Sequence, residues 1–135
     1  MSYTPTQHLG GLPALMSPEQ RGRAKRQLGS TKGREKFLDA MRHDFELHPD
    51  FTIEPAKGKR DPDSLLAALH ELGAGEDCYV IASDRDFDDT MQPLEKMVRE
   101  AADIFHHGTI FSCVPGRLAL YKRAVPHGTV IVHRT

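Results

Sequence analysis

The chain of 135 residues has no tryptophan, only two cysteines and a net charge of −1. Such a small charge gives no overall field that would select nucleic acid or an anionic membrane. No apolar run is long enough to span a membrane, and residues 1–5 lack the basic region that opens a signal peptide. Both cysteines, Cys78 and Cys113, lie in apolar runs, which favours buried thiols over a disulfide or a redox pair. These features predict a cytoplasmic protein.

The length suits one globular domain, which we place at residues 17–135. A chain of this size buries roughly two-thirds of its extended surface, so it can fold without disulfide cross-links. Residues 1–16 are predicted to form a separate arm. Gly10 to Pro13 disfavours regular structure there, yet the arm carries four large apolar residues: Leu9, Leu12, Leu15 and Met16. Two alternatives remain for this arm, a flexible tail or a segment that docks on the domain or on a partner.

The stretch from Asp77 to Tyr121 holds the strongest structural pattern. Residues 78–82 are apolar throughout and β-branched or aromatic in the middle, as in an interior strand covered on both faces. A helix is predicted over 93–106, because Pro93 suits a first helical turn. One apolar stripe repeats along it at helical spacing: Leu94, Met97, Val98, Ala101, Ile104 and Phe105.

A strand at 109–113 follows this helix. Strand, helix and strand make a βαβ pattern, which predicts that 109–113 runs parallel to 78–82 through a right-handed crossover. Val114-Pro115-Gly116 is a strong turn signal, so residues 117–123 are expected to return antiparallel. A second turn leads to a last strand at 129–133. We expect the exposed edge of these two C-terminal strands to be available for pairing with another chain.

Three more helices are predicted from their caps and apolar faces, at 18–28, 32–47 and 62–72. Residues 51–54 alternate as in a short edge strand. Together these elements predict an α/β or α+β fold in a single domain. Its four- to five-stranded mixed sheet would contain the βαβ unit and the C-terminal antiparallel strands, with the N-terminal helices as a further layer.

Charge is unevenly distributed along the chain. Residues 17–36 carry seven basic and two acidic side chains, whereas residues 71–103 carry ten acidic and three basic ones. These regions are expected to attract each other, within the fold or between subunits. Four residues of the helix predicted at 18–28 are candidates for contact with a protein partner or with nucleic acid: Arg21, Arg23, Lys25 and Arg26. Nucleic acid is the less favoured partner, because interleaved aromatic side chains for base stacking are missing.

The acidic loop that follows the strand at 78–82 is the main candidate for chemistry. Its segment Asp86-Phe87-Asp88-Asp89-Thr90-Met91 resembles the first motif of the haloacid dehalogenase-like phosphatases, an Asp-x-Asp-x-Thr placed after a strand. The resemblance implies that Asp86 is the nucleophile and Asp88 the acid and base, with Mg²⁺ to neutralise the phosphate.

The resemblance covers only this motif. The family's motif directly follows apolar strand residues, whereas Ser83-Asp84-Arg85 intervenes in this chain. Ser112 and Lys122 are positioned to match the family's later serine or threonine and its lysine. The family's later acidic pair has no counterpart, because no Asp or Glu follows Asp103.

The same loop also has the spacing of a calcium site. Positions 1, 3, 5 and 12 of an EF-hand-like loop fall on carboxylates: Asp84, Asp86, Asp88 and Glu95. Position 6, where the sharp turn favours glycine, is Asp89. The two patterns together give a candidate Mg²⁺ or Ca²⁺ site at Asp84, Asp86 and Asp88.

A structural role explains the aspartates without any ligand. Aspartates end strands, form turns with their own backbone and suit the start of a following helix. Four aspartates within six residues nevertheless repel one another. We therefore expect a cation or a basic neighbour beside them, such as Arg85 or the basic first helix.

No complete set of catalytic groups can be assembled from the sequence. It contains no Gly-x-Ser-x-Gly motif, no His-Glu-x-x-His motif and no Cys/His cluster with zinc spacing. We therefore expect a small non-enzymatic binding or regulatory protein that needs no cofactor and acts through protein partners or self-association. The alternatives are a metal-dependent phosphatase or hydrolase built on Asp84, Asp86 and Asp88, and a protein that binds nucleic acid through the basic helix.

Overall fold

A computed structural model describes residues 3–43, 47–123 and 128–135. The helices in this part of the chain are α1 (Pro5–Gly11), α2 (Pro18–Leu28), α3 (Thr31–His43), α4 (Pro62–Glu71) and α5 (Leu94–Ile104). The strands are β1 (Thr52–Ile53), β2 (Asp77–Ile81), β3 (Thr90–Pro93), β4 (Thr109–Val114), β5 (Leu118–Lys122) and β6 (Thr129–His133). Two short 3-10 turns lie at Leu12–Leu15 and Pro49–Phe51.

The described strands form one six-stranded sheet in the order β1-β6-β5-β4-β2-β3. Every neighbouring pair is antiparallel. The fold is therefore α+β in a single chain, as the coarser prediction states. The finer prediction of a four- to five-stranded mixed sheet is wrong, because the sheet has one more strand and its neighbours are all antiparallel.

The predicted parallel pairing of 78–82 with 109–113 is also wrong. β2 and β4 pair antiparallel, with Val80 opposite Phe111. The reason is an unpredicted strand, β3, which forms a hairpin with β2 before α5 begins. Because β3 and β4 flank β2 and each opposes it, they run parallel to each other. The helical crossover therefore joins β3 to β4 and skips one strand.

Strand β2 is apolar on both faces, as the sequence predicted. Cys78 and Val80 pack into the core beside α4 and α5. Tyr79 and Ile81 pack into a second core, beside the N-terminal segments. All four residues are fully buried. Since successive strand residues point to opposite faces, a strand of this composition needs a layer of helices on each side.

Helices α4 and α5 cover the first face. Asp61 caps α4 by accepting a hydrogen bond from the Ser64 N–H at 3.1 Å, and Pro62 occupies its first position. The buried stripe of α5 consists of Leu94, Met97 and Val98. In the part of the chain that the structure describes, no helix combines the length and apolarity needed to cross a membrane. A cytoplasmic location stays a prediction.

The N-terminal residues lie on the second face of the sheet. Thr4 and Gln7 form a capping box that starts α1. The turn after it buries Leu12 and Leu15, and Met16 is buried as well. Gly10 to Pro13 is thus partly helical and partly a 3-10 turn, contrary to the expectation of irregular backbone.

Several predicted boundaries shift in the structure. Pro93 ends β3 and caps α5, so the proline precedes the helix instead of filling its first turn. The helix predicted at 32–47 ends at His43 among the described residues, and 44–46 lie outside them. The expected free edge at the C-terminal strands is partly covered, because β1 pairs with β6 at Thr52–Val132 and Ile53–Ile131.

Replacing Gly11 by alanine should destabilise the fold. A Cβ atom at Gly11 would lie 2.4 Å from the backbone nitrogen of Gly116, in the turn between β4 and β5. Backbone on both sides leaves no flexible side chain to move aside. We expect Gly11→Ala to lower the free energy of unfolding by about 1–3 kcal/mol, measured by denaturant titration.

Gly10→Ala is the matched control, because a Cβ at Gly10 meets nothing within 4 Å. A helical glycine replaced by alanine gains up to about 1 kcal/mol. Equal unfolding midpoints for the two variants would contradict the close docking of α1 on the β4–β5 turn.

Candidate functional site

The acidic loop joins β2 to β3 and is organised by Asp84. The Asp84 carboxylate accepts a hydrogen bond from the Asp86 N–H at 2.9 Å. Its backbone carbonyl accepts from the N–H groups of Phe87 at 3.2 Å and Asp88 at 2.9 Å. Asp84 therefore forms a local turn with its own backbone, a habit of aspartate in loops.

Asp88 forms an ion pair with Arg34 of α3. Two hydrogen bonds join them, Arg34 Nη2 to Asp88 Oδ1 at 2.7 Å and Arg34 Nε to Asp88 Oδ2 at 3.0 Å. The Ala82 N–H also donates to Oδ1 at 3.0 Å. The two side chains are only 15% and 18% exposed. This bidentate geometry ties the loop to the N-terminal layer.

Asp89 adds a contact between the acidic loop and strand β2, through Tyr79 and Val80. Asp89 adopts a positive φ of 61°, which aspartate tolerates better than most residues. Its N–H donates to the Val80 carbonyl at 2.9 Å, and its carboxylate accepts from the Tyr79 hydroxyl. Burial, reinforced by this hydrogen bond, raises the pKa of Tyr79. The Arg34 guanidinium lies 5.8 Å from the centre of the Tyr79 ring.

The three aspartates predicted to bind a metal ion therefore have different surroundings. Asp88 is held by Arg34, Asp84 by the loop backbone, and Asp86 is exposed. Among residues 3–43, 47–123 and 128–135, no group of three His, Cys, Asp or Glu side chains is arranged to hold a metal ion. The basic neighbour expected beside the aspartates is Arg34, from α3, instead of Arg85 or α2.

The residues implied by the phosphatase resemblance likewise lie in different surroundings and make different contacts. Ser112 is 1% exposed and lies on β4 beneath α1, where its hydroxyl bonds to His8. Lys122 lies on β5, opposite Thr109 of β4. Asp88 is occupied by Arg34. No observation therefore favours phosphoryl transfer at this loop.

A cleft of about 400 Å³ lies beside the ion pair, between α3 and the acidic loop. Five charged side chains of both signs line it: Arg34, Glu35, Asp39, Arg85 and Asp88. Because these charges nearly cancel, the cleft selects neither a simple anion nor a simple cation.

The four basic residues singled out on α2 fall into two groups. Arg21 is half-buried and donates from Nε to the Pro13 carbonyl at 3.3 Å, so it helps to fix the arm. Arg23, Lys25 and Arg26 are exposed, and the structure gives them no ion pair within its described ranges. They form the outer side of α2, while Ala24 packs inward.

A buried polar cluster surrounds His8 and was not predicted from the sequence. His8 is 1% exposed, and its Nδ1 lies 2.7 Å from the Ser112 hydroxyl oxygen. Its ring stacks on Tyr79 at 5.7 Å and meets Tyr3 edge-on at 5.9 Å. Burial lowers the pKa of His8. The capping box at Thr4 and Gln7 was a usable signal for a helix here, but the partners of His8 come from distant strands.

The thiols are buried and free, in agreement with their predicted role in packing. Cys78 and Cys113 carry no disulfide. Burial raises the pKa of Cys113 to about 12 and also raises that of Cys78. Thiolates are the reactive form, so neither cysteine is suited to nucleophilic chemistry.

Comparison of the chain with protein-family models, with curated proteins and with solved structures found no match. Function therefore has to be argued from this chain's own contacts.

Removing Arg34 should destabilise the protein more than removing a surface arginine. Arg34→Ala leaves the poorly exposed Asp88 carboxylate without its partner, which costs about 1–3 kcal/mol. A double-mutant cycle with Asp88→Asn should give a coupling energy within about 0.5–3 kcal/mol. Arg99→Ala is the control, since Arg99 pairs with Asp63 on the surface. Additive effects of Arg34→Ala and Asp88→Asn would show that the ion pair does not join α3 to the loop.

We expect the free energy of unfolding to decrease as the pH is lowered, because the unfolded chain accepts a proton at His8 more readily than the folded protein does. The folded state lowers the pKa of His8, whereas the unfolded chain protonates it near pH 6.5. Below about pH 6.5 the unfolded state therefore binds more protons, and the free energy of unfolding decreases until the folded-state pKa is passed. His8→Gln should remove this part of the pH dependence in unfolding titrations. His106→Gln, at an exposed histidine, should keep it.

Proposed function

We propose that the chain is a small non-enzymatic binding protein that acts through contacts with acidic protein surfaces, including those of its own copies. The observation that carries the proposal is the exposed basic side of α2, formed by Arg23, Lys25 and Arg26. We call these three residues the α2 basic surface. None of the ion pairs among the described residues includes them.

The acidic loop supports this proposal indirectly. Asp84, Asp88 and Asp89 each make contacts that stabilise the fold, so their presence needs no catalytic explanation. Cofactor-free catalysis needs an acid, a base and an electrophilic group around a common point, and no such set is assembled there. The metal-dependent hydrolase therefore has no observation in its favour.

Helices α2 and α3 expose charges of both signs, which favours a protein over nucleic acid as the partner. Glu19 of α2 and Glu35 and Asp39 of α3 are exposed together with the basic residues. These carboxylates would repel a phosphate backbone, which rewards uninterrupted positive charge. Alternating charges instead suit a protein surface, where they set orientation and specificity.

A second copy of the chain offers a complementary surface. Helices α4 and α5 lie on the opposite side of the sheet from α2. That side exposes Glu71, Glu100 and Asp103. Contact between the α2 basic surface of one copy and this acidic side of the next would join unlike surfaces, which is a heterologous arrangement.

Reversing charge on α2 should abolish association. We expect sedimentation velocity at low salt to show concentration-dependent association of the parent chain, weakened at 0.5 M salt, where the Debye length falls to about 4 Å. Lys25→Glu/Arg26→Glu should sediment as a monomer. The control Lys57→Glu/Lys59→Glu makes the same change in net charge in an exposed loop and should associate like the parent.

Two results would contradict the proposal. Equal loss of association in both double variants would show an effect of net charge alone. A monomeric parent at every concentration, together with Mg²⁺-dependent hydrolysis of a phosphate ester that Asp86→Asn removes, would favour the enzyme instead.

A further inference from the structure

A second cavity lies between the N-terminal residues and the start of β2. Its volume is about 420 Å³, within the range of ligand pockets. Tyr3 and His8 form one side of it, Met91 lies on β3, and Glu76 and Asp77 lie where the α4–β2 loop enters β2. We call this space the Tyr3–Asp77 cavity. It is distinct from the cleft beside Arg34 and shares no residue with the α2 basic surface.

The two carboxylates that line this cavity, Glu76 and Asp77, give it a negative charge. Glu76 and Asp77 are exposed, and the described residues supply no ion pair to either carboxylate. None of the side chains lining the cavity is lysine or arginine.

His8 adds a buried group that opens into the same space. Its ring is 1% exposed, and Nδ1 is already bonded to Ser112. The other ring nitrogen, Nε2, has no hydrogen-bond partner among the described residues. Every fully buried side-chain nitrogen or oxygen in those residues does have one. Nε2 therefore keeps some accessible surface, and His8 is one of the residues that line the cavity.

These groups match an organic cation better than a metal ion. In the tautomer that carries its proton on Nδ1 and donates it to Ser112, His8 presents Nε2 as an acceptor, and the two carboxylates of the cavity are likewise acceptors. The exposed Tyr3 ring adds an aromatic face, which attracts cations. A bare metal ion needs at least three converging ligands, and no such group of side chains exists in the described ranges.

We propose that the Tyr3–Asp77 cavity binds a primary ammonium or guanidinium group carried on a short aliphatic chain. Glu76 and Asp77 neutralise its charge, His8 Nε2 accepts one of its N–H hydrogens, and Tyr3 and Met91 contact the aliphatic part. Such a group occurs on free amines and on lysine or arginine side chains of proteins. This inference does not depend on the proposed function.

The test uses butylguanidinium and butylammonium chloride as probes, with uncharged butanol and anionic butyrate as matched controls. Titrations followed by protein NMR at pH 7.5 should shift the amide signals of Gly75, Glu76 and Asp77 for the two cations only. Glu76→Gln/Asp77→Asn should weaken the binding at least tenfold. Glu19→Gln/Asp50→Asn removes two exposed carboxylates that do not line the cavity and should leave the binding unchanged.

Two substitutions at Tyr3 isolate the contribution of the aromatic ring to binding. Tyr3→Phe keeps the ring and should retain the affinity, whereas Tyr3→Leu should reduce it severalfold. The proposal is overturned if butanol produces the same shifts as the cations. It is also overturned if the Glu76→Gln/Asp77→Asn variant binds as tightly as the parent while its NMR spectrum remains that of a folded protein.

A competition arm distinguishes the two sources of the cation. A peptide with the sequence of residues 17–29, which contains four basic side chains, is compared with a version in which all four are glutamine. Displacement of butylguanidinium by the basic peptide alone indicates a protein side chain as the ligand. Binding of the probe without displacement by either peptide indicates a small free amine or guanidine.

Discussion

The fold depends on a sheet that is apolar on both faces. In β2, Val80 and Tyr79 are neighbours in sequence, yet they enter two separate cores. Each face therefore has to be covered, and the chain has two helical layers to do it. Helices α4 and α5 cover one face, and the N-terminal residues with α2 and α3 cover the other. The burial of Leu12 and Leu15 makes the N-terminal segment part of the second core.

Polar contacts connect the N-terminal layer to strand β4 and to the loop between β2 and β3. Arg34 reaches from α3 to Asp88, and His8 reaches from α1 to Ser112. Tyr79 lies between them, stacked on His8, close to the Arg34 guanidinium and bonded to Asp89. Because these contacts are poorly exposed to solvent, each one fixes a position more firmly than the same pair would on the surface. The acidic loop is thereby a structural connection between two layers.

The acidic side chains at the two ends of β2 differ in their neighbours in space. The aspartates of the β2–β3 loop are largely engaged by Arg34, Tyr79 and backbone N–H groups. Glu76 and Asp77, at the other end of β2, have no such partners in the described structure and line a cavity. The sequence shows both sets simply as acidic residues. Only their neighbours in space separate the carboxylates that stabilise the fold from those that are exposed.

By itself the sequence determined the local elements: the two-faced strand at Cys78–Ile81, the apolar stripe of α5 and the turn at Pro115-Gly116 follow from side-chain periodicity and backbone preference. It did not determine strand direction. Thr90–Pro93 is short, half-polar and contains proline, so nothing local identifies it as a strand. Its pairing with β2 is nevertheless what makes β2 and β4 antiparallel. The partners of Arg34 and His8 were equally hidden, because they lie 54 and 104 residues away in the chain. Tertiary structure decided these features, since they depend on which distant groups become neighbours when both faces of the sheet are covered.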